Sequence, residues 1–216
     1  MTFDELEQAA RARQLTFLGG FHPGPEDKAP ENCRTLLLLG PLEPAFWPTF
    51  TQSDEWQDEQ PDPMDRWSAR VIGAWAEELG ARAVFPFGGP PYLPFFSWAT
   101  RTGRIHVSPI MLLVHDHAGL FVSFRGALAL PYHVDLPDPP SNPCSTCEDK
   151  PCRTACPVDA FDGSAYDVPA CKEYLDTDDG EECMTNGCAA RWACPVSGRY
   201  PRVSEQSAYH MTMFKG

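Results

Sequence analysis

Phe3, Leu6 and Ala10 recur at helical spacing behind Thr2, and Glu5 stands three residues after that threonine; the pattern predicts a helix opened by a capping box. Phe17 extends the apolar stripe, and Gly19-Gly20 marks its expected end. The run Arg34-Thr35-Leu36-Leu37-Leu38-Leu39 before Gly40 predicts a short, fully buried strand. Residues 41 to 64 are proline-rich and show no period, so a long loop is expected there. Trp67, Val71, Trp75 and Leu79 repeat every fourth residue, predicting a second helix capped by Asp65 and closed by Gly80. Arg82-Ala83-Val84-Phe85-Pro86 reads as the next strand, and Phe87 to Phe96 as a rigid aromatic loop. Ile110 to Val114 and Leu120 to Leu130 flank His115-Asp116-His117-Ala118-Gly119 and predict a hairpin. Pro137 to Pro143 forms a stiff linker. The expected layout is a mixed α/β domain over residues 1–137 and a separate module over 138–216.

Charge narrows the partners. With 17 Lys and Arg against 30 Asp and Glu, the formal net charge is −13, which repels nucleic acid and anionic membrane surfaces alike. The longest apolar runs are too short to span a bilayer, and the acidic Met1-Thr2-Phe3-Asp4-Glu5 start lacks the regions of a secretory signal. A cytoplasmic protein is expected. The glycine-containing turns show no G-x-G-x-x-G or P-loop arrangement, so nothing in the sequence supports nucleotide binding.

The cysteines carry the chemistry. Of nine, Cys33 alone lies outside the stretch from Cys144 to Cys194. Cys144-x-x-Cys147-x-x-x-x-Cys152-x-x-x-Cys156-Pro157 resembles the run that wraps an iron–sulfur cluster, with a two-residue insertion in its middle spacing. Cys171, Cys183, Cys188 and Cys194-Pro195 echo it at looser spacing. In such runs the cysteine before proline typically serves the other cluster. Eight thiols therefore suit two 4Fe–4S clusters, one on Cys144, Cys147, Cys152 and Cys194 and the other on Cys156, Cys171, Cys183 and Cys188. A disulfide framework, a zinc site, and one cluster beside four structural cysteines remain competing readings. Cys33 reads as a small buried apolar residue. The run from Asp176 to Glu182 resembles a calcium loop, but its twelfth position is Gly187 where a Glu is required. His115, His117 and the other histidines read as turn, loop or packing residues rather than ligands.

The order of elements resembles epoxyqueuosine reductases and reductive dehalogenases. Arg34 to Leu39 and Val84-Phe85-Pro86-Phe87 resemble strands of their cobalamin domain; Thr102-Gly103-Arg104, Ile110 to Leu113 and Arg125 to Leu128 resemble the corrin pocket and the hairpin after it. Cys171-Lys172-Glu173-Tyr174-Leu175 resembles the segment that brings their extra cluster ligand. The resemblance implies a nitroreductase-like mixed sheet domain followed by a ferredoxin-like 4Fe–4S module. It also implies that Phe87, Tyr92, Phe96 and Trp98 cover a corrin face, with Gly103 and Arg104 in the pocket; plain packing of this loop is the alternative. The acid that acts as proton donor in the reductases has no counterpart in Phe87-Gly88-Gly89-Pro90-Pro91-Tyr92-Leu93-Pro94.

Three functions are expected, in order of preference. The first is an oxidoreductase that takes electrons from a flavoprotein or ferredoxin through two 4Fe–4S clusters, reducing bound cob(II)alamin to cob(I)alamin, with a corrinoid favoured over a flavin. The second is an elaborated ferredoxin-type carrier for a protein partner. The third is a reductive enzyme of the reductase or dehalogenase type. No catalytic residue is assigned.

Overall fold

Thr2 caps the first helix as its spacing predicts: its Oγ1 accepts from the Glu5 amide at 3.3 Å, and Glu5 Oε2 accepts from the Thr2 amide at 2.8 Å. This helix is α1 (Phe3–Ala12) of the computed structural model, which describes residues Met1–Gly216. It ends at Arg13, because Gln14 turns into the left-handed region at φ 58°. The chain then enters β1 (Leu15–Phe21), so Phe17 and Gly19-Gly20 belong to a strand and not to the end of a helix. β2 (Thr35–Pro41) comes next and is buried along its whole length.

The proline-rich stretch after β2 holds two short helices, α2 (Phe46–Phe50) and α3 (Asp54–Gln57), where a loop was expected. α4 (Pro63–Glu78) starts on Pro63, which has the fixed φ a first helical position needs. Asp65 stands in its first turn, where its charge suits the helix dipole, but it is not the cap. β3 (Arg82–Val84) and α5 (Phe95–Arg101) bracket the aromatic loop. β4 (Ile105–Val107), β5 (Leu113–His115) and β6 (Gly126–Leu130) complete the strands. The remaining helices are α6 (Val168–Leu175), α7 (Glu181–Asn186), α8 (Ala189–Trp192) and α9 (Ser204–Lys215). No helix is long and apolar enough to cross a membrane.

The chain divides into two units: Met1–Ile105 with Ser123–Pro140, and His106–Val122 with Ser141–Gly216. The boundary in the linker falls after Pro140, close to the expected 138. The segment 106–122, expected within the first domain, belongs with the cysteines instead.

The first unit is built on a four-stranded sheet of order β1-β2-β6-β3. Every pairing in it is antiparallel, so the expected mixed sheet does not form. β6 was expected to pair in a local hairpin; it inserts between β2 and β3, with Leu37 opposite Leu128 and Ala83 opposite the same residue. Leu36 to Leu39 are fully buried. Leu18 bulges out of register between Phe17 and Gly19. Gly19 has φ 138°, and a Cβ there would lie 2.7 Å from Thr102 Cβ, so glycine is needed both for the bulge and for the close approach of α5. Trp67 packs edge-on against Phe46 at 5.2 Å, which fastens α2 to α4.

The second unit has little regular structure. β4 and β5 pair around a tight turn in which Ser108 N donates to Leu112 O at 2.9 Å. Its core is small: Ile110, Val114 and Leu120 pack with Cys152, Phe161, Ala190 and Cys194.

Candidate metal centre

Cys144 sits in a single 3-10 turn, Pro143–Ser145, held by Asn142, whose side-chain oxygen accepts from the Cys144 amide at 2.9 Å. The insertion after Cys147 turns sharply at Lys150, φ 43°, and leads into a second such turn, Pro151–Arg153, which carries Cys152. Cys194 comes from beyond α8. The four thiols line one cavity of about 320 Å³, together with Asp116, Lys150 and Arg199. Cys152 and Cys194 are buried; Cys144 and Cys147 are half-buried.

Burial pushes the Cys144 thiol up to about 11, and the charges of Cys194, Cys152 and Cys147 push in the same direction. Cys152 is raised by burial first, then by Cys194 and Cys147. Left without a metal, these sulfurs stay protonated; a metal that replaces their protons removes both penalties.

The other four thiols form a second set. Cys171 lies on α6, Cys183 on α7, and Cys188 caps α8. Burial raises Cys171, and Cys188, Cys156 and Cys183 add to the effect, opposed by a hydrogen bond from Tyr166. Cys183 is raised by burial, with Cys188 and Cys156 contributing. The Cys156 sulfur accepts from the Ala160 amide at 3.3 Å. Cys144 and Cys152 thus each feel Cys147 and Cys194, and Cys171 and Cys183 each feel Cys156 and Cys188. No group of three or more His, Cys, Asp or Glu side chains closes tightly enough to hold a single metal ion. No two cysteines are bonded to each other.

Cys33 stands apart in the first unit, half-buried, its Sγ donating to Thr35 O at 3.4 Å and its thiol pushed by burial up to about 11. Such a thiol is a poor nucleophile.

The residues expected at a corrin face are dispersed. Trp98 is fully buried, its indole N–H donating to Asp27 O at 2.7 Å, so it belongs to the core of the first unit rather than to a ligand-facing wall. Tyr92 is 68% and Phe96 53% exposed. Phe87 is half-buried and stacks on Phe85 at 5.0 Å. Gly103 comes just after α5 and lines an open groove with His22, Arg101 and His133; Arg104 beside it is half-buried.

Two residues of this centre lay outside the sequence expectations. Asp116 was read as a polar turn residue, yet it lines the cavity with four thiols. Its neighbour His115, read as solvated, is 2% exposed. Tyr166 carries no local signal, because it stands five positions before Cys171 and the contact arises from the fold of the Phe161–Tyr166 bridge.

No family model, curated protein or solved structure matches the chain.

Proposed function

We propose that the chain is an iron–sulfur electron-transfer protein holding two 4Fe–4S clusters, on Cys144, Cys147, Cys152 and Cys194 and on Cys156, Cys171, Cys183 and Cys188. The observation that carries this reading is the convergence of Cys144, Cys147, Cys152 and Cys194 on one cavity. The unbonded thiols and the cavity among the first four also suit a cluster. When bound, such clusters supply one-electron transfer at potentials down to about −700 mV.

The protein's own residues prepare the sites. Pro157 and Pro195 turn the chain away after a ligand, Val114 and Leu120 wall the first cavity against water, and Tyr166 donates to the Cys171 sulfur. One electron enters from a reduced protein partner, a flavoprotein or ferredoxin, and one leaves to an acceptor.

For the acceptor we propose a corrinoid, cob(II)alamin, which one electron converts to cob(I)alamin, on a first unit read as a shortened nitroreductase-like scaffold joined to a ferredoxin-like module. The exposed Tyr92, on the loop before α5, and the exposed Phe96, in the first turn of α5 beside buried Phe95 and Trp98, favour a broad apolar ligand there. The test is anaerobic reconstitution with iron and sulfide, followed by electron paramagnetic resonance with cob(II)alamin before and after dithionite. The expected result is two clusters' content per chain, a cobalt signal altered on mixing, and its loss on reduction. Failure to bind iron and sulfide overturns the cluster reading. Reducible clusters beside an unaltered cobalt signal overturn the corrinoid and leave a carrier for a protein partner.

A further inference from the structure

α9 joins the helices that carry thiols of the second set. It packs on α7, which holds Cys183, and its last turn is fastened to α6, which holds Cys171. Lys172 Nζ on α6 donates to Lys215 O at 3.0 Å and stands 5.5 Å from the centre of the Phe214 ring. Lys215 Nζ in turn donates to Leu175 O at 3.3 Å, and Phe214 stacks on Tyr166 at 6.0 Å and 16°. Near the start of α9, Ser207 presses on Gly187, the residue before Cys188. That glycine has φ 96°, and a Cβ on it would stand 2.7 Å from Ser207 Cβ, so no larger residue lets the helix come this close.

The buried face of α9 is polar. A helix laid on its neighbours ordinarily turns apolar residues inward. The residues α9 buries are Gln206 and Ser207, at 0% and 2% exposure, while Met213 is 51% exposed. No protein group meets Gln206 Nε2, Gln206 Oε1 or Ser207 Oγ. A buried amide and hydroxyl without partners oppose folding, and native structures leave few of them. Here two stand side by side on the helix that joins α6 to α7, one of them against the neighbour of Cys188. They fit a bound group that supplies the missing partners.

We propose that Gln206 and Ser207 are binding residues for the sulfur-rich anion held by Cys156, Cys171, Cys183 and Cys188, with Gln206 Nε2 and the Ser207 hydroxyl donating to its sulfurs. Gln206 Oε1 is an acceptor, cannot meet an anion, and takes a trapped water. α9 is then the cover of the second site, and its inward polarity is the mark of what lies beneath. The inference rests on the two-cluster reading above.

The test is iron release from the anaerobically reconstituted protein into excess chelator, followed by absorbance. Gln206→Met keeps the length of the side chain and deletes the amide. The half of the iron that belongs to one cluster is expected to leave about tenfold faster, the worth of one hydrogen bond to a charged partner, while the other half leaves at the parent rate. Ser207→Ala removes one small hydroxyl, acts on the same half, and serves if Gln206→Met fails to load. Pulsed electron paramagnetic resonance of the reduced protein in deuterated water is expected to lose one deuteron coupling in each variant. Parent-rate release with every coupling kept overturns the proposal and leaves the two side chains to trapped water alone. Equal acceleration of both halves also overturns it, since general loosening of the unit acts on both sites. A parent chain that takes up no iron or sulfide sinks the cluster reading itself, and that outcome is distinct.

Discussion

Tyr166 combines two roles in one side chain. Its ring stacks on Phe161 at 4.5 Å and 18°, and its hydroxyl donates to the Cys171 sulfur. Burial, then that sulfur, hold the phenol well above its ordinary range, so it remains a donor at every relevant pH. Tyr166→Phe keeps the stack and deletes the donor. The expected outcome is an intact second cluster with a more negative midpoint, read in a potentiometric titration; unchanged midpoints at full loading would show the hydroxyl to be idle. Glu55 is a residue of another kind, binding α3 to α4 through Arg70, with Nη2 donating to Oε2 at 2.9 Å. The Arg70 hydrogen bond holds its carboxyl below the usual range. A carboxyl depressed on folding adds stability above its unfolded value of ~4.3, and that stability fades as pH falls through the lower folded value. Because the Arg70 side chain is 57% exposed, the pair contributes only about 1 kcal/mol. Glu55→Gln should therefore lower the melting temperature by ~2–4 °C at pH 7, and the gap to the parent should close on acidification below pH ~4. A gap that widens in acid would contradict the assignment.

Among the elements, β2 is the one whose removal would cost most, since it lies between β1 and β6 and every residue in it is buried. Leu38→Ala deletes a fully buried side chain from a position in register with Ala127 of β6. A loss of about 2–5 kcal/mol is expected in denaturant unfolding, with the cysteine spectra of the loaded protein retained. β2 was legible because an unbroken leucine run has one good solution, full burial. α1 was legible for a local reason too, its capping box, and α4 because its tryptophans repeat on one face. β1 was not: Phe17 falls at helical spacing from Ala10, and nothing local announces that Gln14 turns left-handed or that Gly19 makes a bulge. β6 was misplaced for a related reason. Its apolar run fits a strand, but its partners Thr35 to Leu39 and Arg82 to Val84 are distant in sequence, and only packing selects them. The cysteine spacing singled out Cys144, Cys147, Cys152 and Cys194, which line one cavity, while Asp116 and Tyr166 were brought in by the fold.

At the scale of the whole molecule, the two units differ in what holds them. The first has a four-stranded sheet and a core of leucine, phenylalanine and tryptophan side chains. The second has short helices, single 3-10 turns and a core in which Cys152 and Cys194 are themselves members. Burial opposes ionisation of its thiols, so its fold gains from whatever replaces their protons. The segment 106–122 belongs to this unit although it runs between two stretches of the first, and Ile110, Val114 and Leu120 depend on Cys152 and Cys194 for their packing. Stripping iron from the loaded chain should therefore act unevenly. Hydrogen exchange is expected to accelerate across residues 106–122 and 141–216 together, while α1, β1, β2 and α4 keep their protection. Equal acceleration everywhere would mean that the first unit does not stand on its own core. Acceleration confined to 141–216 would mean that 106–122 is held by the sheet, and the placement of Asp116 beside the first four thiols would lose its support.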